Sequence, residues 1–403
     1  MKPAYACLAL VLFARSLAAQ TTLIFDPQAA LPDGGRYGMA YCQDQAAFYM
    51  IGGGSPLSAY TSEVFRYDPR TDRWSASALS TGQVTPQRLG TATLVGPNRG
   101  ASVIYTLNGA TGAGPVQAVQ AVQAINGALA NTYANPTPAS SAGVAVWGGL
   151  LYAYGGQLPN GNYTNALRAY NPDNNTWTAL APMPEAKTAY GAAVNGKIYV
   201  IGGFNGVLNS SRVDAYDIAT NTWQPLGTLP TTVSNQAVAV LGDWLWLVGD
   251  FTNQRYLAAY NTRTGQLRTF TSNLPPRRNA AAAVFNTRLY VWGGNTASTN
   301  ASTLSDMWSV DVGTVLASRT AAARPTLHAN PNPAVAGLST LDLPQGTRQV
   351  EVLDALGRAV LRAEIAASAA SWQLDLRGRC AGIYLVRVHT AEGLVGSCRV
   401  VNE

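Results

Sequence analysis

One short pattern recurs along the first three quarters of this 403-residue chain and leaves few folds open to it. An apolar strand ends in a glycine doublet, a loop follows, and a second strand ends in Tyr-Asp or Tyr-Asn. A tryptophan stands seven residues beyond that tyrosine. The clearest units read FYMIGGG (48–54) with VFRYDPRTDRW (64–74), LYAYGG (151–156) with LRAYNPDNNTW (167–177), and IYVIGG (198–203) with VDAYDIATNTW (213–223). Two are degenerate: IYTLNGA (104–110) with AINGALANTY (124–133), and LWLVGD (245–250) with AAYNTRTGQL (258–267). The sixth, LYVWGG (289–294), leads into MWSVDV (307–312) and stops. The doublets or their stand-ins begin at 52, 108, 155, 202, 249 and 293, so the steps are 56, 47, 47, 47 and 44. A period in the forties with about four short strands per unit is the signature of a propeller blade. The expected fold is therefore all-β: a six-bladed β-propeller over residues 20–312, followed by a small β-sandwich.

The residue choices have physical reasons. Before each doublet the strand is a continuous apolar run, as expected when a sheet is covered on both faces. The doublets Gly52-Gly53, Gly155-Gly156, Gly202-Gly203 and Gly293-Gly294 let the chain leave that strand at positive φ and let a neighbouring blade approach. The pairs Tyr67/Trp74, Tyr170/Trp177 and Tyr216/Trp223 supply large rings with a polar tip, suited to wedging between twisted blades. They are expected to be packing residues rather than catalytic ones. The sixth unit has no terminal Trp strand, whereas residues 21–36 read like the tail of a unit without its head. A strand near Thr22 to Phe25 is expected to complete blade six, removing two open sheet edges. Gly-Gly, Tyr and Trp repeated in this register resemble the kelch family, over roughly residues 22 to 312.

The first nineteen residues read as a signal peptide: Lys2, an apolar core from Ala4 to Phe13, then small residues at Ser16 to Ala19. That core is too short for a bilayer, which takes about 20 apolar residues, and no later segment has membrane length. The formal net charge of +6 is spread thinly. Part of it sits on Lys2, Arg15, Arg319 and Arg324, outside the repeat, and no basic stripe remains for nucleic acid. Export leaves Cys42, Cys380 and Cys398, either as buried free thiols or with a Cys380–Cys398 bridge.

Residues 313–326 carry no blade pattern and read as a linker. Short alternating strands follow over 327–403, closing in a hairpin that turns near Glu392-Gly393. Three pieces come in order at the C-terminus: Asn330-Pro331-Asn332-Pro333, then Asp354 with Gly357-Arg358, then Gly382-Ile383-Tyr384. Together they resemble the type A C-terminal sorting domain of the type IX secretion system. The resemblance implies a bacterial protein recognised by that machinery, passed across the outer membrane, and released or held at the cell surface.

For chemistry the sequence offers little. Both histidines, His328 and His389, lie outside the repeat, so neither copper chemistry like that of galactose oxidase nor a Ser-His-Asp set can be built within it. No Cys/His cluster has zinc spacing, and no glycine loop carries a phosphate-binding lysine. No catalytic residue, metal or cofactor is expected. One face of the ring stands out. Loops entering the inner strands carry Arg36, Arg88, Lys187, Arg277 and Arg278, and loops after the doublets carry Tyr60, Tyr163, Phe204, Phe251 and Tyr256. Cations ringed by aromatics suit a sugar acid, a glycan or an acidic peptide. The leading expectation is a non-catalytic protein- or carbohydrate-binding module. The alternative is a metal-independent sugar-processing enzyme, similar to the kelch mutarotases acting on sialic acid, which needs a convergent Arg/Glu/Tyr pocket. Glu63 and Glu185 are the only glutamates available to it in the repeat.

Overall fold

The computed structural model describes residues 21–76, 85, 87–95, 103–124, 129–315, 327–354, 358–366, 368–390 and 393–403. The signal-peptide segment 1–19, most of the expected linker and Gly357 lie outside the described residues. The chain divides into two compact units, Met1–Gly313 and Thr314–Glu403.

The first unit holds six four-stranded antiparallel sheets. In blade one the strands run Ala40–Gln43, Phe48–Gly53, Thr61–Asp68 and Arg73–Ala76, in that spatial order. Blades three, four and five repeat this order, beginning at Gly143, Gly191 and Ala237, and blade two begins at Thr91. The six first strands touch their neighbours in a closed circuit around a central channel. The apolar core is therefore divided into layers between blades. Phe48, Met50 and Tyr67 of blade one pack with Tyr290, Trp292 and Met307 of blade six, for instance.

Each Tyr/Trp pair sits directly opposite across the third and fourth strands: Tyr67 with Trp74, Tyr170 with Trp177, Tyr216 with Trp223. Ring centroids lie 5.0, 5.0 and 5.3 Å apart. The tyrosine hydroxyl donates to Asp72, Asn175 or Asn221, at 2.8, 3.0 and 2.8 Å. These three turn residues have φ of 52°, 59° and 54°, where a short polar side chain is tolerated. The tryptophan Nε1 donates to a carbonyl of the preceding blade's last segment: Ala29, Ala134 and Ala181 at 3.1, 3.0 and 2.8 Å. Every aromatic pair thus ties its own turn to the neighbouring blade.

The doublets make a second tie. Gly53, Gly109, Gly156, Gly203 and Gly294 each donate their N–H to the next blade, at the carbonyls of Gln87, Ala139, Lys187, Val233 and Arg36. A Cβ on Gly202 (φ 66°) would lie 2.2 Å from the Val233 carbonyl oxygen, so only glycine permits that approach. The Gly294 to Arg36 bond, at 2.7 Å, joins blade six to blade one.

Ring closure differs in detail from the sequence expectation. The strand that completes blade six is Asp26–Gln28, pairing antiparallel with Met307–Asp311. Thr22–Leu23 instead pairs in parallel with Thr271–Ser272 of blade five. The shift follows from Phe25, whose ring is buried and whose backbone N–H is held by the Asn273 side chain at 2.7 Å. That anchor leaves only the residues after it free to lie along blade six.

The second unit is a seven-stranded β arrangement in the order Ala359–Glu364, Thr347–Leu353, Gly382–Thr390, Gly393–Asn402, Ala329–Val335, Leu338–Asp342, Ser371–Asp375. Leu341, Val350, Val352, Leu374, Val386, Val388 and Val400 form its core. The Asn-Pro-Asn-Pro segment lies against the last strand, where the Asn332 amide donates to Arg399 O at 2.7 Å and accepts from Val401 N at 2.9 Å. The Tyr384 hydroxyl donates to Cys380 O, and Asp354 pairs with Arg358 at 2.7 Å. Cys42, Cys380 and Cys398 are free. Cys380 is exposed, not buried as expected, because it sits in the loop before Gly382.

Candidate functional site

The loops entering the inner strands and those following the doublets emerge on one face because their first residues pair. Tyr37 bridges Gly54, Arg88 bridges Ala110, Ser140 bridges Gln157 and Arg278 bridges Asn295. Thr188 N–H reaches Phe204 O, and Phe251 N–H reaches Ser234 O, completing the set in all six blades. One residue further on, Gly38, Leu89, Ser141, Ala189, Asn235 and Asn279 stand at the channel mouth. They form a belt of backbone bonds between blades: Gly38 to Asn279, Leu89 to Gly38, Ser141 to Leu89, Ala189 to Ser141 and Asn279 to Asn235, at 2.6–3.1 Å. Gly38, Leu89, Ser141, Asn235 and Asn279 all have φ between 51° and 58°. Leu89 and Ser141 hold that disfavoured conformation because the belt bonds leave them no other.

The structure separates the candidate cations into two groups. Arg36, Lys187 and Arg277 are buried, at 2%, 1% and 0% exposure, and each is consumed inside the blades. Arg36 reaches Glu63 at 3.3 Å and Gly35 O at 2.9 Å. Lys187 reaches Glu185 at 3.3 Å and Ser210 Oγ at 3.4 Å. Arg277 donates to Pro275 O, Gly293 O and Asp306, at 3.1, 3.1 and 2.9 Å. These side chains brace the loops whose backbone carbonyls or neighbours receive the doublets, and their charged ends are engaged inside the blades. Tyr256 also belongs to the interior, packed with Leu229 and Val233 between blades four and five, and burial pushes its hydroxyl up to about 12.

Arg88, half-buried, and Arg278, 7% exposed, stand at the mouth. They occupy equivalent repeat positions in blades two and six and flank Tyr37 of blade one. Arg88 lies over the Tyr60 ring at 5.1 Å and donates to the Tyr37 hydroxyl at 2.6 Å. The Arg278 guanidinium stacks on Phe251 at 4.1 Å and donates to Ser298 at 2.9 Å. Such pairs fix each guanidinium without neutralising it. Tyr163 and Phe204 stand edge to face at 5.7 Å between blades three and four, beside a polar recess bounded by Gln157, Asn162 and Asn205. Leu57, Val207, Leu208 and Phe251 are exposed on these same post-doublet loops.

The two glutamates are held in ion pairs, and neither lines the channel mouth. Burial pushes Glu185 up, but the Lys187 ammonium, the Asn205 amide and the Ser210 hydroxyl outweigh it and hold its pKa below the ordinary 4.5. A depressed carboxylate pKa contributes stability that is present above the ordinary value and lost as pH falls through the folded-state value. The melting temperature is therefore expected to drop below pH 4.5, and Glu185→Gln is expected to flatten that acid limb while lowering the neutral-pH plateau. Melting curves of both proteins across pH 3–7 check this, and parallel limbs would contradict it.

Inside the belt the channel widens into a cavity of about 250 Å³ lined from all six blades. Tyr41 of blade one reaches past blade six, where its hydroxyl donates to Val238 O at 3.2 Å and accepts from Val238 N at 3.3 Å. Tyr41, Ala92, Val144, Ala192 and Val238 line both this cavity and a second one of about 360 Å³ on the far side, so they mark the level between the two. Sequence reasoning missed Tyr37, Tyr41, Gln236 and the belt. The signal available was the Asn or Gly at three of the six belt positions, residue types that tolerate positive φ.

Comparison with known proteins agrees with this architecture. The model of the KLHDC2/KLHL20/DRC7 Kelch-repeats domain matches residues 38–250, and that of the secretion system C-terminal sorting domain matches residues 329–401. Kelch-like protein terF of Aspergillus terreus is 33% identical over 179 residues, covering 39% of this chain and 39% of that protein. Kelch-like protein 41a of Danio rerio is 36% identical over 107 residues, covering 26% and 18%, and Kelch-like protein 23 of Homo sapiens is 26% identical over 167 residues, covering 40% and 30%. The chain thus spans well under half the length of these relatives. With just over half of its length matched by the repeat model, the chain belongs to the Kelch-repeats domain family, here joined to a C-terminal secretion sorting domain.

Proposed function

We propose that the propeller is a non-catalytic recognition module acting outside the cell, and that it holds a sugar acid of a glycan at the Arg88–Tyr37–Arg278 side of its loop face. The sorting domain supports delivery to the cell surface or exterior. On this reading residues 1–19 are removed at the inner membrane, 327–403 engage the type IX machinery, and 313–326 link the two domains. The observation that carries the ligand class is the pair of guanidiniums held against aromatic rings at the mouth, while the other three candidate cations are neutralised internally. A carboxylate between Arg88 and Arg278 gains charge-assisted bonds from donors that are already oriented.

The sugar-processing alternative needs a proton-transfer group beside the ligand, and both propeller glutamates are engaged elsewhere. The test is an array of acidic and neutral glycans with acidic peptides as a second panel, using the mature chain and an Arg88→Ala/Arg278→Ala double variant. Acidic glycans are expected to bind the parent and to lose at least tenfold in affinity in the variant. Equal binding by both proteins, or binding to acidic peptides alone, overturns the assignment.

A further inference from the structure

Behind the belt, the loop-side cavity has a chemistry unlike that of the rim. Among the described residues, no Lys, Arg, Asp, Glu or His lines it. Its titratable groups are the Tyr41 and Tyr190 phenols, and burial raises both, that of Tyr190 to about 12. A charged guest would give up its hydration here without meeting a countercharge. The cavity is nevertheless not apolar. Gln236 is 3% exposed and spends its Nε2 on Ile201 O at 2.8 Å, yet its buried Oε1 finds no partner among the described residues. The Tyr190 hydroxyl is also buried, with the Ser141 and Thr188 side chains beside it acting as hydrogen-bond partners that lower its pKa against the effect of burial. Asn235 donates through Nδ2 to Asn279 Oδ1 at 2.6 Å, so its own Oδ1 is the acceptor it has left to offer. A buried acceptor left unmatched is expected to be met by a guest that brings a donor.

Size narrows the choice. A volume of about 250 Å³ accommodates a guest of the size class of one pyranose ring. We propose that this cavity is a binding site for one uncharged, polyhydroxylated ring, a neutral monosaccharide unit, entering through the belt from the loop face. Its hydroxyls donate to Gln236 Oε1 and Asn235 Oδ1 and accept from the Tyr190 and Ser141 hydroxyls, while Val144, Ala192 and Val238 cover its apolar side. The inference shares the loop face with the recognition reading above but rests on different residues, so a glycan could place its acidic unit at the rim and a neutral one inside.

The test uses the full mature chain and saturation-transfer NMR with the methyl pyranosides of glucose, galactose, mannose and xylose, with glucuronate and galacturonate as charged controls. At least one neutral glycoside is expected to give a saturable signal. Ala192→Leu, which fills the cavity, is expected to weaken it at least tenfold, and the Arg88→Ala/Arg278→Ala variant to leave it unchanged. Gln236→Met provides an independent second variant if Ala192→Leu does not fold, and is expected to weaken the same signal. Silence from all four glycosides, or binding that survives both cavity variants, overturns the proposal. Loss confined to the arginine variant also overturns it and leaves the rim reading standing, whereas neutral binding without any uronate binding supports the cavity and counts against the rim.

Discussion

A chain that starts at residue 31 rather than residue 21 is expected to melt on the order of 10 °C lower, the largest effect predicted for this protein. The ten residues removed include the outer strand of blade six and its staple to blade five. Leu23 and Phe25 are buried, and such side chains contribute about 1.5–3 kcal/mol each. The deletion also takes the Ala29 carbonyl from Trp74, the Asp26 carboxylate from Arg288 and the backbone of Phe25 from Asn273. A loss of about 3–6 kcal/mol, at about 2–4 °C per kcal/mol in a large domain, gives the stated shift. Blade six would then end in an unpaired strand, Met307–Asp311, which invites edge-to-edge association. Calorimetry and light scattering of the two proteins test both consequences. Coincident melting curves would show that the ring holds without this closure.

The second large effect separates two neighbours in sequence. Arg277→Ala is expected to cost about 3–5 kcal/mol, because it strips a fully buried cation from Asp306 and two carbonyls. Arg278→Ala, one residue on, removes a largely buried guanidinium held by the Phe251 ring and Ser298, and is expected to cost about 1–2 kcal/mol. Arg277→Lys should recover only part of the loss, since an ammonium cannot reproduce the fork that reaches Pro275 O, Gly293 O and Asp306 together. Urea midpoints of the three variants decide the matter, and equal midpoints for Arg277→Ala and Arg278→Ala would place both side chains in the same environment. The contrast bears directly on binding studies. An Arg36 or Arg277 variant that fails to bind reports a damaged propeller, whereas an Arg88 or Arg278 variant reports the face.

Much of this protein is determined by sequence alone. The glycine doublets, the Tyr/Trp spacing and the headless first unit specify blade number, strand order and closure between the two ends of the repeat. They do so because a blade is a local object, built from strands joined by short turns whose residue types are set by backbone geometry. The C-terminal sandwich was legible for the same reason, through strand alternation and the order of its three motifs. The register of closure was not legible: Thr22–Phe25 looks as strand-like as Asp26–Gln28, and only the Phe25 anchor on Asn273, a residue 248 positions away, decides between them. Nor could sequence sort the five cations. Arg277 and Arg278 are identical in kind and adjacent, and the segment entering blade six turns one toward Asp306 and the other over the Phe251 ring. The cavity behind the belt is the extreme case. Its lining comes from six separate blades, and small residues such as Ala192 and Gly38 have no meaning as a site until the ring closes and sets them around one axis.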